Sequence, residues 1–283
     1  MDVSTLPPAD TYLTPGSAME TYLEATHRAV ASGATGLCVV GELPGDALAF
    51  PHTWPGWSRY EAAVNHVFTA VPFNALCTYD TRTTDPSLLQ VVRETHPQVR
   101  SGASRAVNAD YRAPLELLID WSDASALPVE LSTPLLEITD LREPGDVQLA
   151  ATKLGEILAL LDTALQLDAE HLPPADPTLV DVDEYILALD EVLNNALNHG
   201  APPVALRLWV DHDHVVTTVN DRGRGFEDPF MGYTIGVGLD RAISLRPRMG
   251  LWLARQLCDD LTYRHDGEGF TVRLRADLDV RYA

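Results

Sequence analysis

The stretch Asp190-Glu-Val-Leu-Asn-Asn-Ala-Leu-Asn-His-Gly200 carries the strongest chemical signal in this 283-residue chain. Glu191 and Asn195 are four residues apart, so a helix places them on one face, a single turn from each other. A carboxylate there can polarise a water or a hydroxyl group, and a side-chain carbonyl can reach a Mg²⁺ ion. The stretch predicts a helix with a chemically active face.

A second motif, Asp221-Arg-Gly-Arg-Gly225, follows the strand-like run Val215-Val-Thr-Thr-Val219. Glycines after a strand allow the backbone to approach a nucleotide closely, because glycine has no side chain. Arg222 and Arg224 are either surface charges or phosphate contacts, and the pattern favours neither reading. The motif predicts another wall of a binding site.

The apolar pattern around both motifs predicts an α/β sandwich, with helices on one face of a mixed sheet. The predicted helices are 146–167, 181–199 and 249–260, and the predicted strands are 203–210, 214–220, 261–264 and 269–275. Shorter strand-like pieces are predicted between prolines at Val129–Leu131 and Leu135–Ile138.

Residues 145–276 resemble the ATP site of the GHKL superfamily, in its anti-sigma-factor serine kinase branch. Glu191 to Gly200 resembles the first box of that branch, and Asp221 to Gly225 resembles the second. Met249-Gly-Leu-Trp-Leu-Ala-Arg-Gln-Leu-Cys-Asp259 resembles the G-x-G-L box, and Gly269-Phe-Thr-Val-Arg-Leu274 resembles the closing strand. The resemblance implies a Bergerat-type α/β sandwich that binds ATP with Mg²⁺.

The resemblance also implies individual roles. Glu191 would be the catalytic general base, Asn195 would hold Mg²⁺, and Asp221 would accept a hydrogen bond from the adenine amino group. The closing strand would place Thr271 near Asp221 and the adenine. The other residues expected at the nucleotide are Gly223, Gly225, Arg248, Gly250 and Leu251.

Arg248 departs from the family pattern, because it stands where the G-x-G-L box has its first glycine. An arginine could add a phosphate contact, or its side chain could narrow the phosphate end of the site. Gly236-Val-Gly-Leu239 also spells G-x-G-L, but no long apolar helix follows it. We interpret it as part of a lid over residues 226–248.

The first part of the chain has a strand and helix alternation that favours a parallel α/β unit. Its predicted helices are 17–31, 57–69 and 85–94, and its predicted strands are 37–40 and 74–80. The proline-rich change of pattern near 112–128 predicts a boundary between two domains, 1–120 and 121–283.

Residues 10–113 resemble part of the MEDS sensory domain, a module related to RecA/KaiC-type ATPases. The matching pieces are Thr11-Tyr-Leu-Thr-Pro-Gly16, Gly36-Leu-Cys-Val-Val-Gly-Glu-Leu43, Tyr60-Glu-Ala-Ala-Val-Asn65, Ala75-Leu-Cys-Thr-Tyr-Asp80 and His96-Pro97. The resemblance covers the later half of such a domain and implies a sensor without a RecA-type nucleotide site.

The sensor region offers two kinds of ligand site. Five side chains could line an aromatic pocket for a small molecule: Trp54, Trp57, Tyr60, Tyr79 and His52. We favour the alternative, that they are ordinary core and interface residues. Cys38, Cys77 and His96 could bind a metal only if the fold brings them together. Without a CxxC pair, the three cysteines are interpreted as reduced, buried thiols.

Composition limits the classes of partner. The net charge is −21, so the average surface field repels nucleic acid and anionic lipid. Lys153 is the only lysine, which excludes a phosphate-loop NTPase. The chain has neither a transmembrane-length apolar run nor a signal-peptide pattern at Met1, which predicts a cytoplasmic protein without membrane contact.

These observations predict a regulator of the anti-sigma-factor type, whose ATP site phosphorylates serine or threonine on a protein partner. The resemblance implies a sigma factor or an anti-sigma antagonist as that partner. The leucine stripe of 146–167 also predicts a homodimer. The alternatives are a non-catalytic switch that sequesters a partner and a sensor histidine-kinase-like protein, which is disfavoured because 146–167 contains no histidine.

Overall fold

The computed structural model describes residues 15–42, 54–102, 104–122, 126–168, 182–211, 214–233, 246–267 and 269–277. The chain divides into two compact units, Met1–Trp121 and Ser122–Ala283. Among the described residues, none of the helices is both long enough and apolar enough to cross a membrane.

The first unit contains a parallel strand pair with helices around it, and the predicted parallel α/β arrangement is confirmed. Strand β1 pairs with β2 in parallel, with a helix between them in the chain. The elements are α1 (Pro15–Ala31), β1 (Leu37–Glu42), α2 (Trp54–Val67), a 3₁₀ helix (Phe68–Ala70), β2 (Phe73–Thr78) and α3 (Pro86–Thr95), then β3 (Gln98–Ser101), β4 (Ser104–Val107) and α4 (Pro114–Ser122).

The hairpin of β3 and β4 and the helix α4 were not predicted. The hairpin turns at Gly102, whose φ of 58° lies in the left-handed region that glycine adopts readily. Its strands are only four residues long and are too short to give a clear alternating pattern.

The second unit is an α/β sandwich, as predicted. It contains a 3₁₀ helix (Pro128–Leu131), β5 (Leu136–Leu141), α5 (Pro144–Asp168), α6 (Val182–His199), β6 (Val204–Val210), β7 (His214–Asp221), α7 (Arg246–Leu257), β8 (Asp260–Asp266) and β9 (Gly269–Asp277). The strand prediction for Val129–Leu131 is wrong, because Pro128 starts a 3₁₀ helix there.

The sheet has the order β5-β6-β7-β9-β8. Each pairing between these described strands is antiparallel, so the prediction of a mixed sheet is wrong for them. The physical reason is local, because β6 and β7, like β8 and β9, are joined by short hairpin connections that impose an antiparallel direction.

Helix α6 covers one face of this sheet and forms the centre of the core. Its apolar stripe is fully buried against β6, β7 and β9, at Tyr185, Leu189 and Leu193 among others. The buried Tyr185 hydroxyl donates to Thr217 Oγ1 at 2.8 Å, which satisfies a polar group that would otherwise weaken the core. The helix is therefore held at a fixed depth above the strands.

Residues 127–132 cover part of the opposite face of the sheet. Trp209 Nε1 donates to the Ser132 carbonyl at 3.1 Å. The Glu130 side chain, 4% exposed, lies 2.5 Å from Arg273 Nε and 3.4 Å from Arg264. Burial lowers the pKa of Arg273, and the charge of Glu130 partly opposes that shift. A buried ion pair thus fastens this segment to β8 and β9.

Replacing Glu130 by alanine should destabilise the second unit, because Arg273 would keep a buried charge without this carboxylate. We expect a loss of about 3 kcal/mol in the free energy of unfolding, measured by urea denaturation. Glu137→Ala is the matched control, since the Glu137–Arg207 pair is largely exposed. That control should cost less than about 1 kcal/mol, and equal losses in the two variants would contradict the assignment.

Candidate functional site

Helix α6 positions Glu191 and Asn195 on one face, as the sequence predicts. Asp183 and Glu184 lie in its first turn, where carboxylates interact favourably with the positive end of the helix dipole. Because the apolar stripe faces the sheet, Glu191 and Asn195 are left half-buried at the side of the helix. They point toward α7.

Gly250 of α7 is the point where the two helices approach each other. A Cβ atom on Gly250 would lie 2.6 Å from Glu191 Oε2 and 2.9 Å from Asn195 Nδ2. A larger residue at position 250 would therefore displace the ends of the Glu191 and Asn195 side chains from their present positions. The structure therefore brings together three of the residues singled out in the sequence: Glu191, Asn195 and Gly250.

The Asn195 amide nitrogen is buried and makes no hydrogen bond with any residue that the structure describes. An unsatisfied buried amide costs about 1–3 kcal/mol. The oxygen and nitrogen of an asparagine can exchange places by a simple flip of the amide. Asn195 and Glu191 thus offer oxygen donors, the kind that Mg²⁺ prefers, at a place where one polar atom lacks a protein partner. The residues fit the expected ion.

Asp221 ends β7 and is 4% exposed. Its Oδ1 accepts hydrogen bonds from Gly223 N at 2.6 Å and Ala201 N at 3.2 Å. Within the described residues no donor reaches Oδ2. Burial raises the pKa of Asp221, while the two backbone donors and His265 partly oppose the shift. One carboxylate oxygen is used by the fold and the other is available to a ligand.

Small residues let the ends of α6 and β7 meet. A Cβ on Gly200 would lie 2.4 Å from Asp221 Oδ1, and one on Gly223 would lie 2.7 Å from the same atom. Gly225 has a φ of +59°, and a Cβ there would collide with the Phe270 ring. The structure therefore places Gly223 beside Asp221 and Gly225 against Phe270, the residue that pairs with Asp221.

Thr271 does not lie where it was expected. In the register of β7 and β9, Asp221 pairs with Phe270 and Asn220 pairs with Thr271. Directly paired residues share a face and successive residues alternate, so Thr271 lies on the opposite face from Asp221. Its hydroxyl accepts a hydrogen bond from Asn220 Nδ2 at 2.8 Å. The prediction of Thr271 beside the adenine is wrong, and Phe270 occupies that side of the sheet.

Helix α7 begins at Arg246, three residues before the predicted start. Arg248 is therefore in the first helical turn, and its side chain lies outside the described residues. Leu251 is buried in the core with Ala254. With α7 starting at Arg246, the first-turn backbone N–H groups that lack an intrahelical acceptor belong to Arg246 and Arg248, because Pro247 has none. Gly250 itself supplies space rather than an anion contact.

The first part of the expected lid, residues 226–233, is anchored in the structure. The ring of Phe226 lies 4.5 Å from that of Tyr263 and 4.9 Å from that of Phe270, between ring centres. Arg255 stacks over Tyr233 at 4.1 Å and donates to the Met231 carbonyl at 3.2 Å. Residues 234–245, including the second G-x-G-L pattern, lie outside the described residues.

These anchoring residues were missed by sequence reasoning, although part of the signal was present. Tyr263 and His265 alternate along β8, and both lie on the face that carries Phe270. An alternation of aromatic residues next to a glycine-rich motif could have predicted a ring cluster under the loop. Arg255 gave no comparable signal, because nothing in its helical spacing distinguishes it from a surface charge.

Comparisons with known proteins agree with this description. Residues 157–276 match the family described as "Histidine kinase-like ATPase domain". Residues 2–97 match the family described as "MEDS: MEthanogen/methylotroph, DcmR Sensory domain". The chain therefore carries a MEDS domain followed by a histidine kinase-like ATPase domain, and the two resemblances are confirmed at the level of these families. The search of curated proteins found no match.

Among solved structures, the chain is similar to the RsbU and RsbW domains of Rv1364c from Mycobacterium tuberculosis. The identity is 20% and the TM-score is 0.33, over 52% of this chain and 33% of that one. The chain thus spans about a third of the length of that protein chain.

Asp221→Asn should separate binding from folding. Asparagine keeps an oxygen for Ala201 and Gly223, but it puts an NH₂ donor where Oδ2 faces a ligand. We expect ATP affinity to fall about a hundredfold in calorimetry, because an adenine amino group would meet a donor. Folding raises the pKa of the Asp221 carboxyl above its ordinary value of 3.8. At higher pH values the ionised carboxylate therefore favours the unfolded state. Stability at pH 7 should therefore be unchanged or higher.

The matched control for this change is Asp211→Asn. Asp211 also accepts a backbone N–H, from His214 at 2.8 Å, but it lies at the other end of β7. The control should leave ATP affinity unchanged. Wild-type affinity in Asp221→Asn would show that this carboxylate does not recognise the base.

Proposed function

We propose that the chain is a cytoplasmic regulator that binds Mg·ATP between α6 and α7. In this proposal it is an anti-sigma-factor-type serine/threonine kinase, and it controls transcription through a protein partner, either a sigma factor or an anti-sigma antagonist. The signal is read by the MEDS domain. The observation that carries the proposal is the convergence of Glu191 and Asn195 on Gly250, with Asp221 at the adjoining strand end.

The base-binding end of the proposed site is formed by Asp221 and the glycines beside it. Oδ2 would accept a hydrogen bond from the adenine amino group, while Gly223 lets the backbone approach Asp221 and Gly225 lets it approach Phe270. Two backbone N–H groups donate to Oδ1 and so fix the orientation of the carboxylate. Specificity for adenine would depend on this fixed orientation of Oδ2. Adenine recognition is therefore built on an oxygen whose direction the fold determines.

The phosphate end is formed by the facing sides of α6 and α7. The Asn195 side-chain oxygen would hold Mg²⁺, which would supply positive charge to neutralise the phosphates. The first-turn backbone N–H groups of Arg246 and Arg248, with the dipole of α7, would attract the phosphates. Because Gly250 has no side chain, Glu191 and Asn195 can lie close to the start of α7. Leu251 packs in the core and holds α7 in place.

Glu191 is the proposed general base. Its Oε2 lies against Gly250, next to the Asn195 amide, so it faces the side of the site where a phosphate would be. There it can accept the proton of an incoming serine or threonine hydroxyl. Transfer of this kind depends mainly on positioning and charge neutralisation, which two rigid helices provide.

The partner and the assembly follow from surface properties. A net charge of −21 favours docking of a basic protein surface. Leu149 and Leu160 of α5 are 53% and 70% exposed, respectively, and we propose that they contribute to a homodimer contact.

A non-catalytic switch is the second candidate, and one observation favours it. Since α7 begins at Arg246, the position of the first motif glycine is already helical. A helix gives the phosphate end less conformational freedom than a glycine loop. Such a site could hold ATP and sequester a partner without transferring phosphate.

Titration of Mg·ATP by calorimetry tests binding. We expect Asn195→Ala to lower affinity at least tenfold, because it removes the proposed metal ligand, a loss of about 1.4 kcal/mol or more. Asn194→Ala is the matched control, since Asn194 is exposed and its amide donates only to the Asp190 carbonyl of the same helix. Equal affinities in the two variants would exclude the metal role, and no binding to the wild type would reject the nucleotide site.

Glu191→Gln tests catalysis separately. Glutamine keeps the shape of the side chain but cannot act as a base, so ATP affinity should stay within about twofold while phosphate transfer falls at least about a hundredfold. Transfer is measured with γ-labelled ATP and candidate partner proteins encoded beside the gene. If wild type and variant regulate the partner equally and neither transfers phosphate, the switch is the correct function.

A further inference from the structure

The MEDS domain contains a cluster of three potential metal ligands that come from three separate elements. Glu61 lies on α2, Cys77 on β2, and His96 directly after α3. One donor atom from each, a carboxylate oxygen, the thiol sulfur and a ring nitrogen, all lie within 4.8 Å of one another. Their convergence comes from the fold, since these residues are far apart in sequence.

The helices that carry the oxygen and nitrogen donors are tied together at this point. Asn65, one turn after Glu61, donates to the Thr95 carbonyl at 2.6 Å. Glu61 Oε2 lies 3.8 Å from His96 Nε2, and their side chains are 16% and 22% exposed, respectively. The two groups thus face each other in a largely enclosed position.

The ring of His96 is held in a tautomer that suits a ligand. Its Nδ1 lies 2.8 Å from the Val92 carbonyl, which can only accept a hydrogen bond, so Nδ1 carries the proton. Nε2 therefore has its lone pair directed at the cluster. Metal-binding histidines commonly use this arrangement, in which the second nitrogen donates to a backbone carbonyl.

Cation binding at this cluster is coupled to the protonation of Cys77. A divalent ion binds the thiolate form of a cysteine, so the thiol proton would be released to solvent when the metal binds.

We propose that Glu61, Cys77 and His96 bind a divalent transition metal ion, preferentially zinc, through one oxygen, one sulfur and one nitrogen. Zinc accepts all three donor types, and sulfur disfavours Mg²⁺ and Ca²⁺. Three protein ligands leave a fourth position for water or an exchangeable small ligand, as in open zinc sites. Such an open position suits a domain that reads a chemical signal.

The proposal answers the question left open for Cys38, Cys77 and His96. Cys77 and His96 are brought together, whereas Cys38 is exposed on β1 and is outside the cluster. Cys38 pairs with Asn74, three positions along the strands from the Gly41–Cys77 pair. Glu61 was not anticipated, because only the packing of α2 against α3 brings it to the site.

Cobalt(II) titration of the reduced, metal-free full chain tests the proposal, because a cobalt–thiolate bond absorbs in the near ultraviolet. We expect the wild type and Cys38→Ser to show this charge-transfer band at one equivalent, and Cys77→Ser to lack it. One equivalent of zinc should remove the band by displacing cobalt. No band in the wild type, or a band that persists in Cys77→Ser, would overturn the proposal.

Zinc affinity measured by competition with a chromogenic chelator gives a second, independent test. Glu61→Gln and His96→Ala should each lower affinity by more than about a hundredfold, since second-shell changes alone cost 10- to 100-fold. Circular dichroism and Mg·ATP affinity serve as controls for folding, and both should match the wild type. Unchanged zinc affinity in a folded Glu61→Gln variant would overturn the three-ligand site, even if Cys77→Ser does not fold.

Discussion

The hydrogen bonds to Asp221 Oδ1 are the interaction on which the ATPase domain depends. One oxygen joins Ala201, which follows α6, to Gly223, which follows β7. This junction determines where α6 ends relative to the sheet. It therefore also positions Asn195, about one turn before that end, and Glu191, about two turns before it. Because the same carboxylate keeps its second oxygen for a ligand, structure and proposed recognition depend on one side chain.

Burying that carboxylate is unfavourable, and the surrounding chain limits the cost. Two backbone donors oppose the rise in its pKa, and glycines at 200 and 223 allow them to come close. In the MEDS domain the partner of the buried Glu61 is a side chain, because its Oε2 lies 3.8 Å from His96 Nε2. Both domains thus place a buried acid where a ligand can relieve its desolvation, and in each the acid marks the proposed binding site.

The sequence predicted helix α6, strand β7 and the pairing of their motifs, since helical spacing and a long apolar strand are local signals. It did not predict which face Thr271 occupies, because that depends on the β7–β9 register, and a shift of one residue reverses every side chain. The start of α7 was missed because Arg246, Pro247 and Arg248, which precede its apolar stripe, give no helical periodicity. Glu61 was missed because its neighbours come from distant segments.

The contacts of Arg255 have a consequence for the energetics of binding. Its guanidinium stacks on Tyr233 and donates to the carbonyls of Met231 and Leu261, so loop, helix and strand are held as one body. Residues 226–233 are therefore ordered when the domain folds, and the loss of their conformational entropy belongs to folding and not to ligand binding. For the proposed nucleotide site, such preorganisation means that a ligand retains more of its interaction energy as affinity.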